Sequence, residues 1–316
     1  MFLHLCIIYD RIKNIRTGYK KVSDIIMTKY IDLHTHSICS DGTLTPARLV
    51  CHAKEKGLST IALTDHDTIE GLEEAKHAAS NLGIELINGV ELSIIFKEGV
   101  FLNREYHMLA LDFDMNNKNF VSKLERLRKK RRARNLKLIN IFSQMGIDIS
   151  YEELQSYGGG NVITKIHFAR ALVVRGFSPN INHAMETHLG YGTAASKVPR
   201  IALEPKEAID MVRGAGGLTV LAHPLRYGLP YHKVALLIGE LKAMGLNGVE
   251  AIYYNHTPGE EKMLTTWAKE LNLGISGGTD FHGDNKPEIQ LGTGLGNLQI
   301  PKEIWTNLQK IQKETK

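Results

Sequence analysis

"YIDLHTHSICSDG", residues 30–42, decides how the chain is read. An apolar run ends in His34 and His36, two residues apart, and Asp41 follows five residues after the second. In a strand, residues i and i+2 point to the same face, so both imidazoles can face one ion. A lone histidine at a strand end is more often a surface or hydrogen-bonding residue. The stretch gains weight only if other strand ends supply partners.

Six further short apolar runs read as strands: roughly 60–64 (TIALT), 84–88 (IELIN), 106–111 (YHMLAL), 218–222 (LTVLA), 248–252 (GVEAI) and 274–278 (GISGG). Most are continuous rather than alternating, as expected of strands buried on both faces. Helical patterns lie between many of them. "TPARLVCHAKEKG" offers Thr45 as N-cap, Pro46 in the first turn and Gly57 at the end, and "TIEGLEEAKHAASNLG" and "EPKEAIDMVRGAGG" are similar. Strands alternating with helices imply a parallel sheet, and seven of them suggest a barrel rather than an open sheet.

Most of these strands bring a histidine or carboxylate to or near an end. His66 lies just past the second, Glu91 past the third, His107 near the fourth and His223 at the end of the fifth. Asp280 and His282 follow the seventh. The C-terminal rim of a barrel is where active sites form. Imidazole and carboxylate without thiolate suit Zn, Mn or Fe. So many groups exceed the needs of one ion and could serve two or three ions sharing bridging carboxylates. Such clusters polarise a phosphoryl oxygen, generate hydroxide near neutral pH and stabilise the leaving oxygen.

Composition sets outer bounds. The chain has 316 residues, 43% hydrophobic and 23% charged, an ordinary globular balance. No run approaches the ~18 apolar residues of a membrane span. The three cysteines, Cys6, Cys39 and Cys51, have no CxxC spacing and suggest neither a disulfide framework nor a thiolate site, so a cytoplasmic location is expected. Of the net charge of +5, residues 1–26 supply +3. The near-neutral remainder suits an anionic small substrate or short nucleic acid better than a broad duplex-binding surface. Residues 1–27 read as a disordered leader or start-site extension, since "MFLHLCIIYD" makes a poor signal peptide and Met27 precedes the first strand. Residues 28–114 and 206–316 read as the barrel. Residues 115–205, helical and polar, read as a helical insertion between strands four and five.

The ordered set HTHSxxSDG, TDHD, VE, AHP and TDFH resembles the PHP (polymerase and histidinol phosphatase) superfamily, from about Tyr30 to Pro287. The resemblance is greatest to the 3',5'-nucleoside bisphosphate phosphatase and RNase AM branch, through HTHSxxSDG, HFARAL, AGGxxVLAHP, YYNHTP and GTDFHG. It implies a distorted (β/α)7 barrel and a metal-dependent phosphoesterase. The expected activities are hydrolysis of the 3'-phosphate of nucleoside 3',5'-bisphosphates, 5'→3' exoribonuclease action on short RNA, or both. By the family pattern His34, His36, Glu91 and Asp280 hold one metal. Glu91 bridges to a second, held also by His107 and His223, and Asp41, His66 and His282 hold a third. His34, His36, Glu91, His223 and Asp280 would be catalytic through metal-bound hydroxide. Two or three divalent ions per chain are implied, Mn2+ first, with Zn2+ or Fe as alternatives. The chain departs from the branch at Lys165 and Ile166, where an Arg–Pro pair usually stands; lysine keeps the charge but loses the bidentate fork.

Substrate contacts are read mostly from the insertion. In "RLRKKRRARN" (126–135), Arg128, Arg131 and Arg132 are grouped on one helix face and Arg126, Lys130 and Arg134 on another. Most should be solvated; by the resemblance, Arg131 and Arg134 are the phosphate candidates. Lys165, His167 and Arg170, then Lys197 and Arg200 in a loop re-entering the barrel, complete the insertion's set. His256 is expected to cap a helix or meet a nucleotide, Glu250 to support a metal ligand, and Asp65 to orient His66. The expected partner is a nucleotide or short RNA, with no membrane and no obligate protein partner. The alternatives are a histidinol-phosphate or other small-molecule phosphatase, and a non-catalytic metal- or nucleic-acid-binding module.

Overall fold

The computed structural model describes residues 29–102, 104–158 and 162–314. The expected leader, residues 1–27, lies outside the described residues. Seven strands form one sheet in sequence order: β1 (Ile31–Asp32), β2 (Thr60–Leu63), β3 (Glu85–Ile95), β4 (Glu105–Leu111), β5 (Leu218–Leu221), β6 (Gly248–Tyr253) and β7 (Gly274–Gly278). The edges meet. The Leu33 N–H donates to the Gly277 carbonyl at 3.1 Å, and Thr35 bridges Phe281 in parallel, so the sheet is a nearly closed barrel.

The barrel is not wholly parallel. β4 runs antiparallel to both β3 and β5, while the other neighbouring strands pair in parallel. The link from Ile95 to Glu105 is too short for the crossover of a dozen or more residues that a parallel pair needs, so β4 must double back. β3 also extends further than its apolar run suggests. Glu91 lies inside it rather than past its end.

The helices, in chain order, are α1 (Pro46–Glu55), α2 (Leu72–Leu82), α3 (Lys118–Gln144), α4 (Tyr151–Ser156), α5 (Lys165–Val174), α6 (Ile181–Thr187), α7 (Pro205–Gly214), α8 (Tyr231–Met244), α9 (Pro258–Glu270) and α10 (Lys302–Glu314). Local chemistry sets their ends. The Thr45 hydroxyl accepts the Arg48 N–H at the start of α1, a cap worth about 1 kcal/mol. Gly83, left-handed at φ 62°, ends α2. Ile31, Leu33, Leu109, Val220 and Trp305 belong to one buried cluster; a second joins the sheet to α1, α2, α7, α8 and α9. Between β4 and β5, helices α3 to α6 bury a third around Phe142, Leu154 and Phe168. Cys39 is a free thiol.

Candidate metal centre

Glu91 is the hub. Its Oε1 lies 2.8 Å from His107 Nδ1 and 3.0 Å from His223 Nε2. Its Oε2 lies 3.3 Å from His34 Nε2 and 3.2 Å from both His36 Nε2 and His66 Nδ1. Asp280 Oδ1 faces the same two first-strand histidines at 3.5 and 3.3 Å. Asp41 Oδ1 sits 3.3 Å from His282 Nε2, and its Oδ2 3.7 Å from His66 Nε2. The fold explains the convergence. β4 runs backwards, so His107 near its beginning reaches the rim where the parallel strands end.

Close backbone approach is also required. A Cβ on Gly42 would meet the His36 carbonyl oxygen at 2.4 Å, and one on Gly278 would meet His34 Cβ at 2.3 Å. These glycines let the SDG turn fold onto His36 and let β7 press against β1. His223 and Asp280 are held at φ 29° and 52°, left-handed values that cost non-glycine residues free energy unless the surroundings impose them. Glu250 helps to do so at His223, accepting its N–H at 2.7 Å. The same carboxylate accepts His34 Nδ1–H at 3.0 Å, which leaves Nε2 facing Glu91 and Asp280. Asp65 accepts the Ser37 N–H and the hydroxyls of Ser37 and Ser40, and the Ser40 hydroxyl lies 3.4 Å from His36 Nδ1, so the ligand histidine it helps to position is His36.

Three sets bring ligand atoms within 4.8 Å of one another: His34, His36, Glu91 and Asp280; His36, Asp41, His66 and His282; and His66, Glu91 and His107. The third takes His66 where the family pattern takes His223. Buried polar atoms normally have partners, yet His34 Nε2, His36 Nε2, Asp41 Oδ1, Glu91 Oε2 and His107 Nδ1 form no hydrogen bond. Orphaned atoms of this chemistry, facing one another, fit divalent cations.

Protonation in the ion-free cluster agrees. Burial works against a charge on His34, but Glu250, Glu91 and Asp280 outweigh it and hold its pKa well above the usual value. Against the same burial, Asp280 and Glu91 raise His36 to about 9, and Glu91 and Glu105 raise His107 to about 10. Burial pulls His66 down to about 4. Burial also opposes the charge on Glu91, yet the surrounding histidines keep it well below the carboxylate range. Protons thus supply the positive charge that bound cations would replace.

Above the cluster lies a cavity of about 320 Å³, floored by Asp41, His66, His107 and His223. Arg131, Arg134, Lys165 and Arg200 line its walls. Arg131 and Arg134, one turn apart on α3, share a face; the sequence grouping that separated them is corrected. Arg128 instead pairs with Glu70, and Arg132 lies over the Tyr151 ring. The other four substrate candidates do not line the cavity. The Thr164 N–H donates to His167 Nδ1 in a capping box at the start of α5, and Arg170 bonds Asn285 Oδ1 at 3.2 Å. Lys197 is exposed. His256 Nδ1–H donates to the Ala251 carbonyl, and Thr257 rather than His256 caps α9. Sequence reasoning missed Glu105, Arg226 and Tyr227 on the cavity wall, and Lys286, whose Nζ lies 2.7 Å from Asp280 Oδ2. The only sequence signal for Arg226 and Lys286 is a basic residue shortly after a rim ligand.

A profile of the PHP domain matches residues 32–171. The chain is 38% identical over 256 residues to a 5'-3' exoribonuclease of Haemophilus influenzae, covering 81% of this chain and 91% of that one. The chain belongs to the PHP family. It is 29% identical to a 3',5'-nucleoside bisphosphate phosphatase of Chromobacterium violaceum, over 88% of this chain and 96% of that protein. Among solved structures, a Bifidobacterium adolescentis protein assigned to the metal-dependent phosphoesterases superposes with TM-score 0.76 at 28% identity, covering 90% of this chain and 96% of that one. This PHP protein is accordingly a hydrolase of the metal-dependent phosphoesterase class, built on a TIM-like barrel. No helix among its described residues is long and apolar enough to cross a membrane.

Proposed function

We propose that this PHP protein removes the 3'-phosphate of nucleoside 3',5'-bisphosphates and trims short RNA from its 5' end, working in the cytoplasm where such substrates occur. The observation that carries the reading is a His/carboxylate cluster, part of which (Asp41, His66, His107 and His223) floors a cavity with cationic walls. The relatives named for these activities support the choice of substrate. Two or three divalent ions, Mn2+ first, would be held by His34, His36, Asp41, His66, Glu91, His107, His223, Asp280 and His282. When bound they supply Lewis acidity and a hydroxide nucleophile near neutral pH.

The chain's own residues do the positioning. Glu250 fixes the tautomer and aim of His34, and Asp65 holds the loop that carries His36 and Asp41. Cavity charge is partly spent already: Arg131 pairs with Asp67 and Arg200 with Glu105. Arg134 and Lys165 have no carboxylate within ion-pair reach among the described residues. Among those residues their donors meet only the Pro199 and Leu189 carbonyls and the Asn135 side chain. These two are free to hold a phosphate remote from the one being cut. Residues 115–205 would therefore act as a roof that selects substrates with two phosphates.

The test is phosphate release by metal-loaded protein from adenosine 3',5'-bisphosphate, short 5'-phosphorylated RNA and histidinol phosphate. Turnover of either of the first two above the third supports the reading. Preference for histidinol phosphate, or no turnover of any of them, contradicts it.

A further inference from the structure

Among the described residues the cavity has a third cation with no carboxylate in ion-pair reach, and it comes from the barrel rather than from the insertion. Arg226 lies on the short turn Pro224–Tyr227 that follows His223 at the end of β5, and it lines the cavity. Its guanidinium Nη1 donates to the Tyr254 hydroxyl at 2.6 Å, and it also interacts with Tyr253 and, more distantly, with Asp280. The adjacent Tyr253 donates its hydroxyl to Asp280 Oδ2 at 2.9 Å, and the two tyrosine rings lie 4.5 Å apart. The guanidinium is therefore tied to the tyrosine pair that also reaches Asp280. A guanidinium carries five donors in a fixed fork. The two tyrosines do not use all of them, and among the described residues no carboxylate lies within ion-pair reach, so part of the fork remains available to an oxyanion.

We propose that Arg226 is the barrel-side contact for the phosphoryl group being cut, distinct in task from Arg134 and Lys165, which hold the remote phosphate. The inference rests on the phosphoesterase reading and divides its two phosphates between two walls. A phosphoryl group resting on the floor presents non-bridging oxygens toward His223 and the turn after it. Arg226 is on that turn, and among the described residues it has no carboxylate in ion-pair reach. It binds charge present in the ground state and redistributed as the ester bond breaks, so it serves any phosphoester that reaches the floor, whether or not a second phosphate is present.

The experiment compares Arg226→Ala, Arg226→Lys, Arg134→Ala and Tyr254→Phe, all metal-loaded, on adenosine 3',5'-bisphosphate and adenosine 3'-monophosphate. Arg226→Ala is expected to lower kcat/KM about 10- to 150-fold on both substrates, the range for losing one charge-assisted contact. Arg226→Lys should restore part of the loss on both. Arg134→Ala should lose chiefly on the bisphosphate. Tyr254→Phe keeps the charge but removes the tether, and should lose less than Arg226→Ala on both substrates. A loss larger than that of Arg226→Ala would mean that the tyrosine rather than the guanidinium makes the contact, and overturns the proposal. A loss from Arg226→Ala confined to the bisphosphate also overturns it. A second readout needs no turnover: calorimetric binding of inorganic phosphate to the metal-loaded protein. Arg226→Ala should weaken it by a similar factor, and unchanged binding overturns the proposal even if the wild type proves inactive on both nucleotides. Inactivity of the wild type with phosphate binding weakened as expected would instead reject the substrate assignment and leave Arg226 in place.

Discussion

His223 shows what one residue can be asked to do here. It is buried, held at a left-handed φ by the Glu250 carboxylate, and its Nε2 touches Glu91. His223→Ala should therefore remove most turnover while leaving the metal-loaded melting temperature close to wild type, because it empties a ligand position without opening the apolar core. Steady-state rates with added Mn2+ check this, and near-wild-type turnover at saturating metal would count against a ligand role. Protonation gives a second test. His36 and His107 are raised to about 9 and about 10 in the ion-free protein. A raised histidine pKa stabilises the fold fully below the unfolded value near 6.5, and that contribution is lost as pH rises through 9 to 10. The melting temperature of chelated protein should fall across that window. Mn2+ uptake at pH 8 should release about two or more protons, read by calorimetry in buffers of different ionisation enthalpy. Uptake without proton release would contradict the cluster's electrostatics. At this scale the HxH spacing and the strand-end carboxylates were legible because each sits in or shortly after a patterned apolar run, although His34, His36 and Asp280 lie just beyond the strands themselves. Arg226 and Lys286 were not, since a single basic residue in a loop has no period to betray its direction.

Elements decide which of these residues meet. Strand order and the helical run between β4 and β5 follow from periodicity, but strand direction does not, because an apolar run reads the same either way. The short link before Glu105 was the available clue to the reversal of β4. The faces of α3 were misjudged for a related reason. Charges at nearly every position hide the i, i+3 pair Arg131 and Arg134 that turns inward, and only packing against Asp67 and Ser93 selects it. Gly278 tests how tightly β7 must approach β1. Gly278→Ala puts a methyl into His34 and should cost about 1–3 kcal/mol, the range for overpacking a tight site; denaturant unfolding measures it, and no loss would mean that the strands part easily. The roof is tested by single neutralisations. Arg134→Ala should raise KM for a bisphosphate nucleotide about 10- to 150-fold with much less effect on a monophosphate. Arg170→Ala, whose side chain bonds Asn285 instead of lining the cavity, should not discriminate between them. Equal losses from Arg134→Ala on both substrates would remove the two-phosphate clamp.

At the scale of the whole molecule, the barrel gathers donors that are far apart in sequence, from His34 to His282, around one buried carboxylate. Closure could be suspected from seven strands but not proved by pattern, since it depends on β1 meeting β7 through contacts such as Leu33 to Gly277. The depth of the site depends on closure too: the floor lies at the rim of the barrel, and the cationic roof is joined to that rim through β4 and β5. The central claim is that this floor is a multinuclear metal centre organised by Glu91. Anomalous diffraction from Mn2+-soaked crystals, recorded on either side of the manganese edge, tests it most directly. The account predicts two or three manganese peaks among the nine side chains, with Glu91 touching at least two of them. A single peak away from Glu91, or none at saturating Mn2+, would contradict it.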